Sequence, residues 1–100
     1  MTVSLFMRLQ VKDFDSWLNP DPSVPAQTMK DNDVLAYSLH RDPNDPNTIM
    51  IYTQLPDENA LKSYVAFLES LPGEMKNFFA VPGSVEMWIG NDIPEYSMTP

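Results

Sequence analysis

The chain has 100 residues, enough for one domain with a modest core. Fourteen acidic residues against six basic ones leave a net charge of −8, so the chain lacks the basic surface that nucleic acid or an anionic membrane requires. It has no Cys, which excludes disulfides and thiolate metal sites, and no apolar run approaches the ~20 residues of a membrane span. We therefore expect a soluble, cytoplasmic protein.

The first third of the chain predicts a strand followed by broken helical segments. Thr2 to Val11 alternate between apolar and polar residues, and this period of two indicates a strand with one strongly apolar face. A short helix over Phe14 to Leu18 follows. Three prolines from Pro20 to Pro25 make a continuous helix unfavourable, and helical turns are expected again over Ala26 to Lys30.

The middle of the chain predicts a β-hairpin and an amphipathic helix. Val34 to Arg41 and Thr48 to Leu55 are strand-like runs. Between them, Asp42 to Asn47 consists of Asp, Asn and Pro, the residues that favour turns. Asp57 can cap the helix that follows, which extends to Leu71 with apolar residues recurring at helical spacing.

The last part of the chain predicts a short helix over Glu74 to Ala80, a turn, and a fourth strand over Ser84 to Ile89. That strand turns its alternate apolar residues to one side and carries polar or aromatic residues on the other. Residues after Gly90 have no such pattern. We therefore expect one domain over residues 1–90 and a C-terminal tail over residues 91–100.

The order β-α-β-β-α-β predicts an α+β, ferredoxin-like fold. Its connections give a four-stranded antiparallel sheet ordered 4-1-3-2 with both helices on one face. The other face should be polar at alternate positions, but four large apolar or aromatic residues fall there: Phe6, Met50, Tyr52 and Trp88. An apolar face on a small domain indicates an interface, and a second copy packed sheet to sheet would cover it.

Three segments of the chain resemble one known family. They are the first-strand run VSLFMRLQVKDFDSW, the hairpin and helix SLHRDPNDPNTIMIYTQLPDENALKSYVAF, and the closing FFAVPGSVEMWI. Across roughly Val3 to Ile89 they resemble the antibiotic-biosynthesis-monooxygenase-like dimeric α+β barrels. The RDPNDPN loop followed by an apolar strand is the sharpest part of the resemblance, and it supports the fold more than an activity.

The resemblance implies a homodimer in which two sheets form one barrel, with a ligand cavity between the helices and the sheet. Members include cofactor-independent monooxygenases of aromatic polyketides, related cyclases, haem-degrading enzymes and proteins without an assigned activity. The break over Asn19 to Pro25 alters one wall of that cavity, and the Pro20 to Pro25 segment either opens or fills it. Haem-degrading members use an Asn on the first strand and a His on the helix after the third. Neither is present here, so we expect no haem and no other cofactor.

His40 is the only histidine, and so the only side chain whose ordinary pKa lies near neutrality. As a catalytic residue it would take or place a proton on a bound ring. A single His without a motif meets few criteria of a catalytic site, which favours the alternative of a half-exposed strand histidine beside the turn, paired with an acid such as Asp42 or Asp45. The sequence leaves both interpretations open.

Four aromatic residues are candidates for lining a ligand pocket: Trp17, Tyr37, Tyr52 and Trp88. Apolar pockets with a few polar groups bind such ligands, yet the same spacing suits a core or a dimer interface. Arg8 could hold a substrate carboxylate or phenolate, or pair with Glu86 on the neighbouring strand. No acidic pair combines with a His at the spacing of a metal site.

Two interpretations of function follow. The first is a small homodimeric enzyme, a cofactor-independent monooxygenase or cyclase that desolvates and orients an apolar or aromatic substrate. The second is a non-catalytic homodimer that binds a ligand or partner, or has a structural role. A closed cavity of several hundred cubic ångströms favours the first and a filled interior favours the second. The sequence does not decide whether the protein is an enzyme, because function depends on the site and not on the fold.

Overall fold

The computed structural model describes residues 1–17, 23–74 and 80–96. In these ranges the elements are β1 (Val3–Gln10), α1 (Phe14–Trp17), α2 (Ser23–Asp31), β2 (Ala36–Asp42), β3 (Asp45–Leu55), α3 (Glu58–Glu69) and β4 (Glu86–Asn91), followed by a 3₁₀ turn (Pro94–Tyr96). Parts of the sequence prediction lie outside the described residues: Leu18, Pro20, Pro22 and most of the helix predicted over Glu74 to Ala80.

The strands form one antiparallel sheet in the order β2-β3-β1-β4. Read from the other edge, this is the predicted order 4-1-3-2, so the predicted ferredoxin-like α+β fold is confirmed. β1 is an inner strand and pairs with β3 along its whole length, from Val3 opposite Leu55 to Gln10 opposite Thr48. The other side of β1 pairs with β4.

The core lies between α3 and one face of the sheet. The fully buried apolar residues on that face are Leu5, Leu9, Ile49 and Leu55. Each such side chain contributes about 1.5–3 kcal/mol by leaving water. Tyr64 of α3 is buried against them, and its hydroxyl donates to Sδ of Met29 in α2 at 3.6 Å. Burial raises the pKa of the Tyr64 hydroxyl, and the nearby Thr53 side chain opposes this shift.

α3 begins where the sequence predicts and ends earlier. The Asp57 carboxylate accepts a hydrogen bond at 2.8 Å from the backbone N–H three residues on, which caps the first turn. The helix ends at Glu69 instead of the predicted Leu71, at a point where the Ser70 hydroxyl donates to the Phe67 carbonyl at 2.7 Å. No helix in the described ranges is long and apolar enough to cross a membrane.

The turn between β2 and β3 is shorter than the predicted loop of residues 42–47. The Asp42 carboxylate accepts a hydrogen bond from the N–H of Asn44 at 2.7 Å. Asp45 accepts one from the N–H of Asn47 at 3.0 Å and another from the Thr48 hydroxyl at 2.7 Å. The Thr48 bond, followed by the Asn47 bond, lowers the pKa of Asp45. Because these contacts order the chain from Asp45 onward, β3 begins there and not at Thr48.

The sheet continues beyond the predicted end of the fourth strand. β4 extends to Asn91, which still pairs with β1. The N–H of Asp92 then donates to the carbonyl of Thr2 at 3.0 Å. The division into a domain of residues 1–90 and a tail of residues 91–100 stays a prediction.

Candidate functional site

One helix is too narrow to cover this sheet. Four strands spaced about 4.8 Å apart make a sheet roughly 19 Å wide, whereas a helix with its side chains is about 10–12 Å across. α3 packs on the two inner strands, β1 and β3. On the same side of the sheet, Met87 of β4 is 42% exposed and Ile89 is 61% exposed. A groove therefore runs between α3 and β4.

We call this groove the α3–β4 cleft. Its larger part has a volume of about 500 Å³, and its apolar lining is Val3, Leu61, Val65, Ala66 and Ile89. Its smaller part, of about 340 Å³, lies toward the start of β4 and is lined by Met7, Leu68, Leu71, Ala80, Val85 and Met87. Both volumes are typical of small-molecule sites, and both parts are open to solvent on one side.

Polar groups are few in the cleft. Glu58 and Lys62 pair across one turn of α3, with Oε1 and Nζ 3.6 Å apart. Asn91 adds an amide at the end of β4. Glu69 borders both parts of the cleft. Among the described residues, no group of three His, Cys, Asp or Glu side chains could hold a metal ion. The cleft can thus accommodate an apolar molecule and contact its polar group through α3 or through Asn91 of β4.

The opposite side of the sheet, which we call the open face, carries large apolar side chains. Phe6 and Trp88 lie opposite each other on β1 and β4 and are 47% and 52% exposed. The Phe6 ring centroid is 5.4 Å from that of Tyr52 on β3. The ion pair expected between Arg8 and Glu86 is present at 3.4 Å. Both of its side chains are about half exposed, so it contributes little to stability.

A polar cluster lies at one end of the open face. The Asp92 carboxylate accepts hydrogen bonds from the hydroxyls of Thr2 at 2.7 Å and Ser4 at 2.5 Å. The side-chain amide of Gln54 donates a third bond to Asp92 at 3.1 Å. Together they hold the pKa of Asp92 below its ordinary value, with the Ser4 bond contributing most. The cluster ties the segment after β4 to β1 and β3.

The predicted site residues are divided between the two sides of the sheet. His40, Tyr52 and Trp88 lie on the open face. Tyr37 of β2 lies on the helix side, and Trp17 of α1 packs there against the core. The five residues therefore do not form one pocket, and none of them lines the α3–β4 cleft. Their roles as a catalytic group and as ligand contacts stay predictions.

His40 is exposed on β2, beside Met50 of β3. Its Nε2 lies 2.8 Å from the hydroxyl of Ser38, two residues earlier on the same strand. Within the described residues the expected pairing with Asp42 or Asp45 is not formed, because both carboxylates accept hydrogen bonds within the turn. The arrangement brings one base and one hydroxyl together on the open face.

The sequence does not predict the cleft, although it predicts which residues line one of its walls. Alternation puts Val85, Met87 and Ile89 on the apolar side of the fourth strand, and the structure confirms this for Met87 and Ile89. Apolar alternation is the signal of a core residue. Whether a helix covers the strand depends on where the helix crosses the sheet. The sequence feature that indicates a cleft is the single long amphipathic helix, because one helix covers the width of only about two strands.

Solved structures share this fold. A protein described as an antibiotic biosynthesis monooxygenase superposes with a TM-score of 0.65 and 17% identity, over 92% of this chain and 99% of that chain. A mutant of SnoaB from Streptomyces nogalater, described as a cofactor-independent oxygenase, gives 0.59 and 17% over 91% and 92%. A dimeric ferredoxin-like protein from an uncultured marine organism gives 0.61 and 15% over 89% and 91%.

These likenesses define the class: a ferredoxin-like α+β protein with the fold seen in antibiotic biosynthesis monooxygenases. The resemblance that the sequence shows to that family is supported at the level of the fold. No protein-family model matches the sequence, and no curated protein matches it. At identities of 17% and below, these structures show a shared fold and not a shared activity, so an activity must be argued from the cleft.

Proposed function

We propose that the protein is a homodimer that binds a small apolar or aromatic molecule in the α3–β4 cleft. The observation that carries this proposal is the exposure of Met87 and Ile89 on the helix side of β4. A ligand that covers such side chains gains about 25 cal/mol for each Å² of apolar surface removed from water. The family that the chain resembles also has its ligand cavity between helices and sheet.

The homodimer is supported by the open face. Phe6 and Trp88 leave about half of their surface exposed in a single copy, and a contiguous apolar patch on a small domain favours an interface. In such a dimer, Phe6 and Trp88 of each copy would be buried against Phe6 and Trp88 of the other copy. One of the proteins that share the fold is described as dimeric.

Filling the cleft tests the ligand proposal. N-phenylnaphthylamine, an uncharged probe that fluoresces in apolar surroundings, is titrated into the wild-type protein. Ala66 lines the cleft and is exposed, so Ala66→Phe should block the probe without disturbing the core. Ser63 is exposed on α3 away from the cleft, and Ser63→Phe adds the same ring as a matched control.

The expected result is saturable binding to the wild type and to Ser63→Phe, with strong loss in Ala66→Phe. Equal binding to the two variants would show that the probe sits elsewhere. No saturable binding to the wild type would contradict the proposal itself.

A second candidate function is cofactor-independent oxygenation of an electron-rich aromatic ligand in the same cleft. It is favoured by the fold shared with SnoaB, described as a cofactor-independent oxygenase, and by the apolar side chains that would pack against a bound ring. His40 lies on the other side of the sheet, so proton transfer would fall to groups of the cleft. Oxygen uptake with a panel of phenols, abolished by Ala66→Phe and kept in His40→Ala, would support it. Uptake unaffected by Ala66→Phe would exclude this site.

A further inference from the structure

We propose that the ligand of the α3–β4 cleft is an elongated apolar molecule with a cationic group, and that Glu69 selects that charge. The inference rests on the proposed binding of an apolar ligand in this cleft and adds its chemical class. It follows from the position of Glu69, from the charges around it and from the direction of α3.

Glu69 lies where the two parts of the cleft meet. It borders the larger part together with Val65 and Ala66, and the smaller part together with Leu68 and Leu71. The other described residues that line the smaller part are apolar or glycine. A molecule long enough to occupy both parts would therefore pass the Glu69 carboxylate with apolar groups on either side.

Among the described residues that line the cleft, none forms an ion pair with Glu69. Glu58 and Lys62 pair with each other at 3.6 Å, so their charges largely cancel. No ion pair reaches Glu69 in the part of the chain that the structure describes. The Glu69 carboxylate attracts a cation placed beside it and repels an anion.

The end of α3 adds to the same negative potential. Glu69 is the last residue of the helix, and no basic residue lies in its last turn. The carboxyl end of a helix carries the negative pole of the backbone dipole, which favours cations. The net charge of −8 acts in the same direction at longer range. The Glu69 carboxylate, the end of α3 and the overall negative charge thus all favour a cationic group and disfavour an acidic one.

A matched set of competitors tests this inference. Naphthylmethylamine, naphthylmethanol and naphthoate present the same ring system with a positive, a neutral and a negative group at pH 7. The concentration of each compound that displaces N-phenylnaphthylamine is measured with the wild type, with Glu69→Gln and with Glu95→Gln. Glu95 is exposed in the 3₁₀ turn and does not line the cleft, so its variant controls for loss of one overall charge.

In the wild type and in Glu95→Gln, the amine should compete about threefold or more better than the alcohol, and the alcohol better than the acid. In Glu69→Gln, the amine, the alcohol and the acid should compete with similar affinities. High salt should reduce the preference of the wild type, which tests the inference even if Glu69→Gln does not fold.

Equal competition by the amine and the acid in the wild type, or a preference for the acid, would overturn the inference while leaving apolar binding intact. A preference that persists unchanged in folded Glu69→Gln would overturn the role of Glu69. Failure of the uncharged probe to bind at all would instead refute the proposed function.

Discussion

The Asp92 carboxylate accepts a hydrogen bond at 2.5 Å from the hydroxyl of Ser4, 88 residues earlier in the chain. Ser4 is almost fully buried, so this bond anchors the segment that follows β4 to the central strand. The same carboxylate also accepts hydrogen bonds from Thr2 and Gln54. Asp92, which lies within the predicted tail of residues 91–100, is thus bound to the sheet.

Asp92→Asn should lower the free energy of unfolding at neutral pH by about 1–2 kcal/mol, since hydrogen bonds to a charged acceptor are the stronger ones. The bonds lower the pKa of folded Asp92 below its unfolded value near 3.9. The stabilisation is therefore present above that unfolded value and is lost as pH falls through the folded value. Urea unfolding of both proteins across pH measures the gap between them, which is the difference in their free energies of unfolding.

The gap between wild type and Asp92→Asn should close in acid, and Glu95→Gln, three residues away, should leave the unfolding free energy nearly unchanged. A gap that stays constant down to the lowest pH would mean that the charge of Asp92 does not contribute.

Trp88→Asp should dissociate the proposed homodimer, because it places a charge in the apolar part of the open face. Trp88 is 52% exposed in the single copy, so the variant should still fold. Leu35→Asp makes the same apolar-to-acid change at a residue that is 57% exposed outside the sheet, and it should leave the dimer intact. Light scattering coupled to size exclusion gives the masses. A wild-type mass near the 11.4 kDa of one chain would contradict the dimer.

His40→Ala should change the free energy of unfolding by less than about 0.5 kcal/mol, as exposed substitutions usually do. It should also leave the affinity for N-phenylnaphthylamine unchanged, because His40 lies across the sheet from the cleft. Leu61→Ala is the contrast: Leu61 is buried and lines the cleft, so its loss should cost about 2–5 kcal/mol. Turnover that disappears in His40→Ala at an unchanged melting temperature would make His40 a catalytic residue.

The strands could be predicted because alternation fixes which residues share a face, and their order could be predicted because the β-α-β-β-α-β succession restricts how they connect. Phe6, Tyr52 and Trp88 lie together on the open face as their parity predicts. Strand ends could not be predicted as well, because they depend on side-chain contacts such as those of Asp45 in the turn and Asp92 after β4.

The candidate site was less accessible from the sequence than the fold. Tyr37 and Tyr52 are both aromatic strand residues, yet they lie on opposite sides of the sheet and cannot line one pocket. The cleft arises where a helix fails to cover an edge strand, and no local pattern records that. Ile89 has the sequence signature of a core residue and becomes a cleft residue only because α3 packs on β1 and β3.

The most direct test of the central claim is to locate a bound ligand by its contacts with side-chain methyl groups. Methyl-labelled protein is mixed with N-phenylnaphthylamine, and intermolecular nuclear Overhauser effects are recorded. The cleft predicts effects from the probe to the methyl groups of Ile89 and Val65, which line it, and none to those of Leu35, which lies outside it. Effects only to residues of the open face, such as the methyl group of Met50, would contradict a ligand site between α3 and β4. The absence of effects to any cleft residue would contradict it as well.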